Sequence, residues 1–273
     1  MLFALLSINV GKMSLRVVVI AVLSISALSV GKDVSMRVIG GQNATGPIPY
    51  QAFVEFTAEN GTSWPCGGSL IAARYVLTSA TCTYAATKAS VILGAFDLND
   101  QSENTRQTFN VSSIIPHQEY NEDVLLNDVA LLQLDSSAVI NDAVQVIPLA
   151  DASQADDTLQ DQIAAVSGWG KTSPFQEGYS TYLLNGSVPI IDVRICETAY
   201  YDLVRRDRHL CSRNVDESVS MCDGDFGGPL VINGTLYGVQ SFNIAGCYVG
   251  FPSVYSKITF YLDWIEENIL VNL

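Results

Sequence analysis

From Tyr50 onward the chain alternates between short apolar or every-other-residue runs and polar breaks. The runs are AFVEF, SLIAARYVLTSA, SVILGAF, DVALLQL, AAVSGWG, PLVI, LYGVQSF and PSVYSKI. Gly, Asn, Asp, Ser and Pro fill the breaks at roughly regular intervals, a pattern that predicts an antiparallel all-β barrel or sandwich. The polar stretch from Asp151 to Gln162 divides the strands into two similar halves. It reads as a connection between barrels because it lacks the glycine of a loose tether. Only the end is helical in pattern: in KITFYLDWIEENIL, Ile258, Leu262, Ile265 and Ile269 recur at spacings of three and four. That stripe predicts a helix docked on the core.

The first thirty residues differ. Lys12 and Arg16 precede an apolar run from Val17 to Val30 that ends among small residues. This predicts a secretory signal over about residues 1–30, with cleavage near Ser29 or Gly31, followed by a short propeptide over 31–37. The run is too short for the roughly 20 residues that span a bilayer, and no later stretch is long enough, so no membrane anchor is expected. Met1 and Met13 both serve as starts for such a signal.

Composition sharpens this picture. The 273 residues are 48% hydrophobic, enough for a large core in one double-sized domain or two halves. Six cysteines in a secreted chain read as three disulfides, for which spacing alone allows 15 connectivities. Metal ligation is the alternative, but no CxxC pair occurs and the two histidines are far apart, so no metal and no cofactor are expected. Asn-x-Ser/Thr tripeptides at Asn43, Asn60, Asn110, Asn185 and Asn233 are glycosylation candidates that fit an extracellular route. Net charge is −14, and removal of residues 1–37 takes away four basic and one acidic residue, leaving −17. So acidic a surface argues against nucleic acid, heparin-like polymers and anionic membranes as partners.

Four separated segments agree in order and spacing: RVIGG at Arg37, LTSATC at Leu77, NDVALL at Asn127 and CDGDFGGPL at Cys222. With SGWG at Ser167 and GVQSF at Gly238, they make the chain resemble the trypsin and chymotrypsin-like serine proteases over nearly all its length after Met36. The resemblance implies two six-stranded antiparallel β-barrels, about 38–150 and 151–256, with a cleft between them and a C-terminal helix over about 257–270. It also implies the disulfides Cys66 with Cys82, Cys196 with Cys211, and Cys222 with Cys247. Each would contribute about 3 kcal/mol.

Acyl transfer in that family needs a serine hydroxyl, an imidazole and a carboxylate that orients it. Where the family's LTAAHC places the imidazole, LTSATC has Thr81, whose hydroxyl is not basic near neutral pH. Where it places the nucleophile, CDGDFGG has Phe226. Asp128 matches the carboxylate and reads as a buried acid that accepts bonds from backbone amides and from Ser241. Losing an imidazole partner should raise its pKa unless those donors compensate. His117 and His209 read as surface or structural residues. With base and nucleophile both replaced, turnover should fall on the order of 10⁶-fold. The expectation is therefore a protein that is not an enzyme.

Other parts of the family's apparatus are retained. Arg37 followed by Val38 resembles an activation cleavage site, and Asp225 the acid that would receive the new ammonium. The amides of Gly224 and Phe226 match the oxyanion loop. In the specificity pocket, Ser220 stands where trypsins carry an aspartate, so no preference for Arg or Lys is implied. Asn243 and Ser253 stand where glycine is usual and should narrow the pocket beside Ser241, while Phe242 replaces the usual tryptophan. Ala95 replaces a calcium-binding acid. The leading expectation is a secreted homologue acting by protein binding, as a regulator, adaptor or decoy for extracellular proteases, inhibitors or their substrates. The alternative is a weakly active serine-type hydrolase with an atypical site. The sequence leaves the oligomeric state unknown.

Overall fold

The computed structural model describes residues 41–154, 159–173, 175–214, 220–243 and 250–271. The expected signal, propeptide and Arg37–Val38 bond, and Cys247, lie outside the described residues.

A two-residue strand, β1 (Gln42–Asn43), precedes the first barrel and belongs to the second sheet. The barrel itself consists of β2 (Gln51–Ala58), β3 (Ser63–Ala72), β4 (Tyr75–Thr78), β5 (Ala86–Leu93), β6 (Gln107–Pro116) and β7 (Ala130–Leu134). These close in the antiparallel order β2-β3-β4-β7-β6-β5. In β2 the alternation is explicit: Ala52, Val54 and Phe56 are wholly buried while Glu55 is exposed, as side chains of period two require. They meet Leu70, Val91, Leu93, Leu132 and Leu134 in the barrel interior. A short helix, α1 (Ala80–Thr83), follows β4.

The second half comprises β8 (Ile163–Gly168), β9 (Leu184–Pro189), β10 (His209–Ser212), β11 (Pro229–Ile232), β12 (Thr235–Phe242) and β13 (Ser253–Lys257). The expected six-stranded barrel is here a seven-stranded sheet, β1-β9-β8-β11-β12-β13-β10, because β1 adds to the outer edge of β9. Its two ends still meet. An isolated bridge joins Ile190 to Ser212, and Ile191 N–H donates to the Cys211 carbonyl at 2.9 Å. The ladder is irregular there because Pro189 has no N–H to donate. Helix α2 (Val193–Tyr200) lies between β9 and β10, with Asp192 accepting from the Arg194 N–H as its cap.

The halves share a core in which Ile71, Tyr75, Leu77 and Leu131 pack with Val231, Leu236 and Val239. Where the halves come close, a Cβ on Gly67 would fall 2.8 Å from the Gly228 Cα, so only glycine fits. The C-terminal helix α3 (Ile258–Val271) covers this seam with the expected Ile258, Leu262, Ile265 and Ile269. Tyr261 and Trp264 are buried beside them, so the apolar face is wider than the aliphatic stripe alone.

Candidate functional site

Helix α1 and the loop before β7 bring Thr81 and Asp128 together. Asp128 is wholly buried. Its Oδ1 accepts from the Thr81 N–H at 2.7 Å and its Oδ2 from the Ser241 hydroxyl at 2.5 Å. Burial pushes its carboxyl up to about 6. The Ser241 hydroxyl, the Thr81 N–H and hydroxyl, and the Ala80 N–H all pull the other way. No imidazole takes part: among the described residues neither histidine bonds to Asp128.

His117 is nearly buried, accepts from the Glu119 N–H at Nδ1, and packs tilted against Trp264 of α3 with ring centroids 5.1 Å apart. His209 is buried, accepts from the Arg205 N–H at Nδ1, and meets Phe242 edge-on at 6.1 Å. Desolvation holds its imidazole down at about 4.

The Thr81 hydroxyl pairs instead with the Tyr120 hydroxyl at 2.9 Å. Sequence reasoning passed over Tyr120, although it lies three residues after His117 in PHQEY. Burial pushes its phenol up to about 12.

Phe226 lies half-buried against the first barrel's core, beside Trp64 and the Cys66–Cys82 disulfide. Its carbonyl accepts from the Gly67 N–H at 2.7 Å. The ring leaves the cleft open: a cavity of about 230 Å³ is lined by Trp64, Pro65, Thr81, Tyr179, Asp223, Gly224 and Phe226, with both sulfur-bearing residues of that disulfide. Trp64 and Tyr179 are a second omission from the sequence reading. Trp64 is fixed by its indole N–H on the Cys82 carbonyl at 2.9 Å. Tyr179 lies on Gly224, where a Cβ would come within 2.6 Å of its ring. Among the described residues the only charged one in the lining, Asp223, pairs with Lys171 at 3.0 Å.

Asp225 is also wholly buried. It accepts from the Gly170 N–H at 2.9 Å and the Cys222 N–H at 3.1 Å, and among the described residues no cation pairs with it. Burial raises its carboxyl to about 7 against those two amides, and the neighbouring Asp223 charge adds to the rise. The position of Gly224, at φ +94°, suits glycine alone.

On the other side of the loop, Ser220, Ser241, Phe242 and Ser253 are all buried. The Asn243 amide donates to the Met221 carbonyl at 2.5 Å, and the Met221 side chain is itself part of the second half's core. Met221 was not singled out from sequence, where it carries no polar or charged signal. Phe242 packs edge-on against Tyr200 at 5.3 Å.

Two further groups bear on the expected chemistry. Cys196 pairs with Cys211, and Cys222 is disulfide-bonded, while its expected partner Cys247 is outside the described residues. In the loop after Ala95, the Glu103 carboxylate takes the N–H groups of Phe96 and Asp97, and the Arg106 guanidinium donates to the Asp97 carbonyl at 2.9 Å. A side-chain cation is thus folded into this loop. The candidate asparagines are spread over hairpin tips and strands: Asn43 in β1, Asn110 in β6, Asn185 in β9, Asn60 and Asn233 in turns.

Comparison with known proteins gives a consistent frame. A family model described as Trypsin matches residues 38–265. The chain is 33% identical to a chymotrypsin of Phaedon cochleariae over 86% of its own length and 83% of that protein. It is 32% identical to trypsin-4 of Rattus norvegicus over 86% and 91%. A solved HL collagenase structure superposes with a TM-score of 0.75 at 33% identity, over 84% of this chain and 97% of that one.

These matches correct one expectation from the sequence, that the chain is not an enzyme. Its relatives carry the names of proteases along most of both chains, and loss of catalysis does not follow from two replaced side chains alone. The physical reason is that the surrounding frame persists: a buried Asp128 with its donors, a glycine loop, and an open cleft.

Proposed function

The chain belongs to the trypsin family of serine proteases, and from that premise we propose that it acts by binding other extracellular proteins, as a regulator, adaptor or decoy for proteases, inhibitors or their substrates. The observation that carries this reading is the open cavity of about 230 Å³ walled by Trp64, Tyr179 and Phe226. Fixed aromatic side chains around a pocket are the usual anchors of protein interfaces. The buried Ser220, Phe242 and Ser253 and the Asn243–Met221 contact support a partner that engages the Trp64 side of the loop. Secretion is part of the proposal, supported by the apolar run from Val17 to Val30. So is cleavage after Arg37, which would offer the Val38 ammonium to Asp225 and reorder the loop carrying the Gly224 and Phe226 amides.

The test is capture of partners from the native fluid, before and after cleavage at Arg37, by the natural chain and by Trp64→Ala. The aromatic wall should be needed, so Trp64→Ala should lose the partners that the natural chain holds. Equal capture by a folded Trp64→Ala chain would remove the cavity from the reading.

A hydrolase with an atypical site is the second reading, favoured by the retained donors around Asp128. Peptide-ester turnover or fluorophosphonate labelling that Asp128→Asn abolishes would establish it.

A further inference from the structure

The five Asn-x-Ser/Thr tripeptides are used differently by the fold, and one lies in the turn that leads into the strand carrying Trp64. Asn43 is in β1, paired to β9, with its Oδ1 buried and unbonded. Asn110 commits its amide nitrogen to the Asp135 carboxylate at 3.2 Å. Asn60 sits at the tip of the β2–β3 hairpin, where residues 59 to 63 are all exposed.

The turn at Asn60 is locally determined. Gly61 takes φ +85°, its N–H donates to the Ala58 carbonyl at 3.0 Å, and the Ala58 N–H donates to the Thr62 carbonyl at 2.9 Å. The Thr62 N–H donates to Asn60 Oδ1 at 3.0 Å, an Asx-turn. With the oxygen held by the backbone, no hydrogen bond among the described residues engages the amide nitrogen. A modifying enzyme meets Asn60 presented, with Thr62 two residues on, in a turn that forms within the hairpin itself.

We infer that Asn60 carries an N-linked glycan that overhangs the cleft. Trp64 is the second residue of β3 and lies four residues after Asn60, so at about 3.3 Å per residue the attachment point is at most roughly 13 Å along the chain from the aromatic wall. The donor is an oligosaccharide linked to a polyisoprenyl diphosphate. The Asn60 amide nitrogen forms a bond to the anomeric carbon, the bond from that carbon to the diphosphate oxygen breaks, and one amide proton leaves to solvent with the released diphosphate. No oxidant or reductant is needed. The inference rests on the secretion part of the proposed function and adds a sugar shield to the same cavity.

The test is expression of the full chain in eukaryotic secretory cells, with release by peptide N-glycosidase in heavy-oxygen water and mass analysis of the peptides. Heavy-oxygen aspartate is expected at residue 60 and not at residue 43, and Thr62→Ala, an exposed substitution, should lose one glycan's mass. Secreted chain with residue 60 unlabelled overturns the inference and leaves the cleft reading standing. Failure of the chain to enter the secretory route overturns both the inference and the secretion proposal.

Acrylamide quenching then tests the overhang. Trp64 is the least buried of the three tryptophans, since Trp169 and Trp264 are both buried. Stronger quenching of Thr62→Ala than of the glycosylated chain is expected. Equal quenching would mean that the glycan points away from the cavity.

Discussion

Asp128 and Asp225 are both wholly buried carboxylates, one at the seam between the barrels and one in the glycine loop, yet they are held very differently. Asp128 has the Ser241 and Thr81 hydroxyls as well as two backbone N–H groups, and rises to about 6. Asp225 has two backbone N–H groups, a like charge at Asp223, and rises to about 7. Desolvation leads in both; hydroxyl donors oppose it at Asp128, whereas the Asp223 charge adds to it at Asp225. No side chain can be added around Asp225. A Cβ at Gly168 or Gly170 would fall 2.1 or 2.3 Å from its carboxylate oxygens. One acid is satisfied where it stands; the other is walled in and short of donors.

The largest effect that would break this comparison is on pH dependence. A carboxyl whose folded pKa is raised binds more protons in the folded than in the unfolded state, so stability falls as pH rises through that window. For Asp225 the window runs from about pH 4 to about 7, with a loss of about 4 kcal/mol. Asp225→Asn should remove it in denaturant titrations across this range. An unchanged slope would mean that Asp225 is charged and compensated. Cleavage after Arg37 should abolish the same slope if the Val38 ammonium reaches Asp225.

Asp128→Asn should act in the same direction but over a narrower window, about pH 4 to 6, and remove about 3 kcal/mol of pH-dependent loss. His209 works against both. Its depressed folded pKa of about 4 makes stability rise from there to its unfolded value near 6.5. Single variants, not the natural chain's profile alone, therefore separate the three groups.

Much of the frame around these acids is legible in the sequence because it is written in local patterns. The alternation AFVEF yields β2, and the stripe Ile258 to Ile269 yields α3. What escaped depends on tertiary context. The run SLIAARYVLTSA reads as one segment, but the chain turns at Ala73 and Arg74 and makes two strands of it. Strand β6 was passed over because its QTFNVSSIIP is mostly polar or half-exposed. At the site, Asp128 and its Ser241 donor carry a chemical signature, whereas Tyr120, Trp64, Tyr179 and Met221 matter only through what the fold places next to them.

Ser241→Ala tests how far one hydroxyl separates the two acids. It leaves the Asp128 carboxylate with one donor fewer and should cost about 1–3 kcal/mol near neutral pH. It should also lift the Asp128 pKa toward that of Asp225, widening the window over which stability falls. If the window is unchanged, the Thr81 and Ala80 donors set the Asp128 value without Ser241.

Tyr120→Phe is the smallest and most specific change. Either hydroxyl can donate in the 2.9 Å pair between Thr81 and Tyr120, and the Thr81 hydroxyl also favours the charged form of Asp128. Hydrogen bonds in such a chain strengthen one another. Removing the phenol hydroxyl should cost about 0.5–1.5 kcal/mol, and if Tyr120 is the donor it should also raise the Asp128 pKa slightly. The tyrosine itself, pushed up to about 12, stays neutral throughout the range measured. Any change in slope between about pH 4 and 6 therefore belongs to Asp128. A stability loss with no change in slope would show that Thr81 donates to Tyr120 instead, leaving Asp128 to Ser241 and the amides.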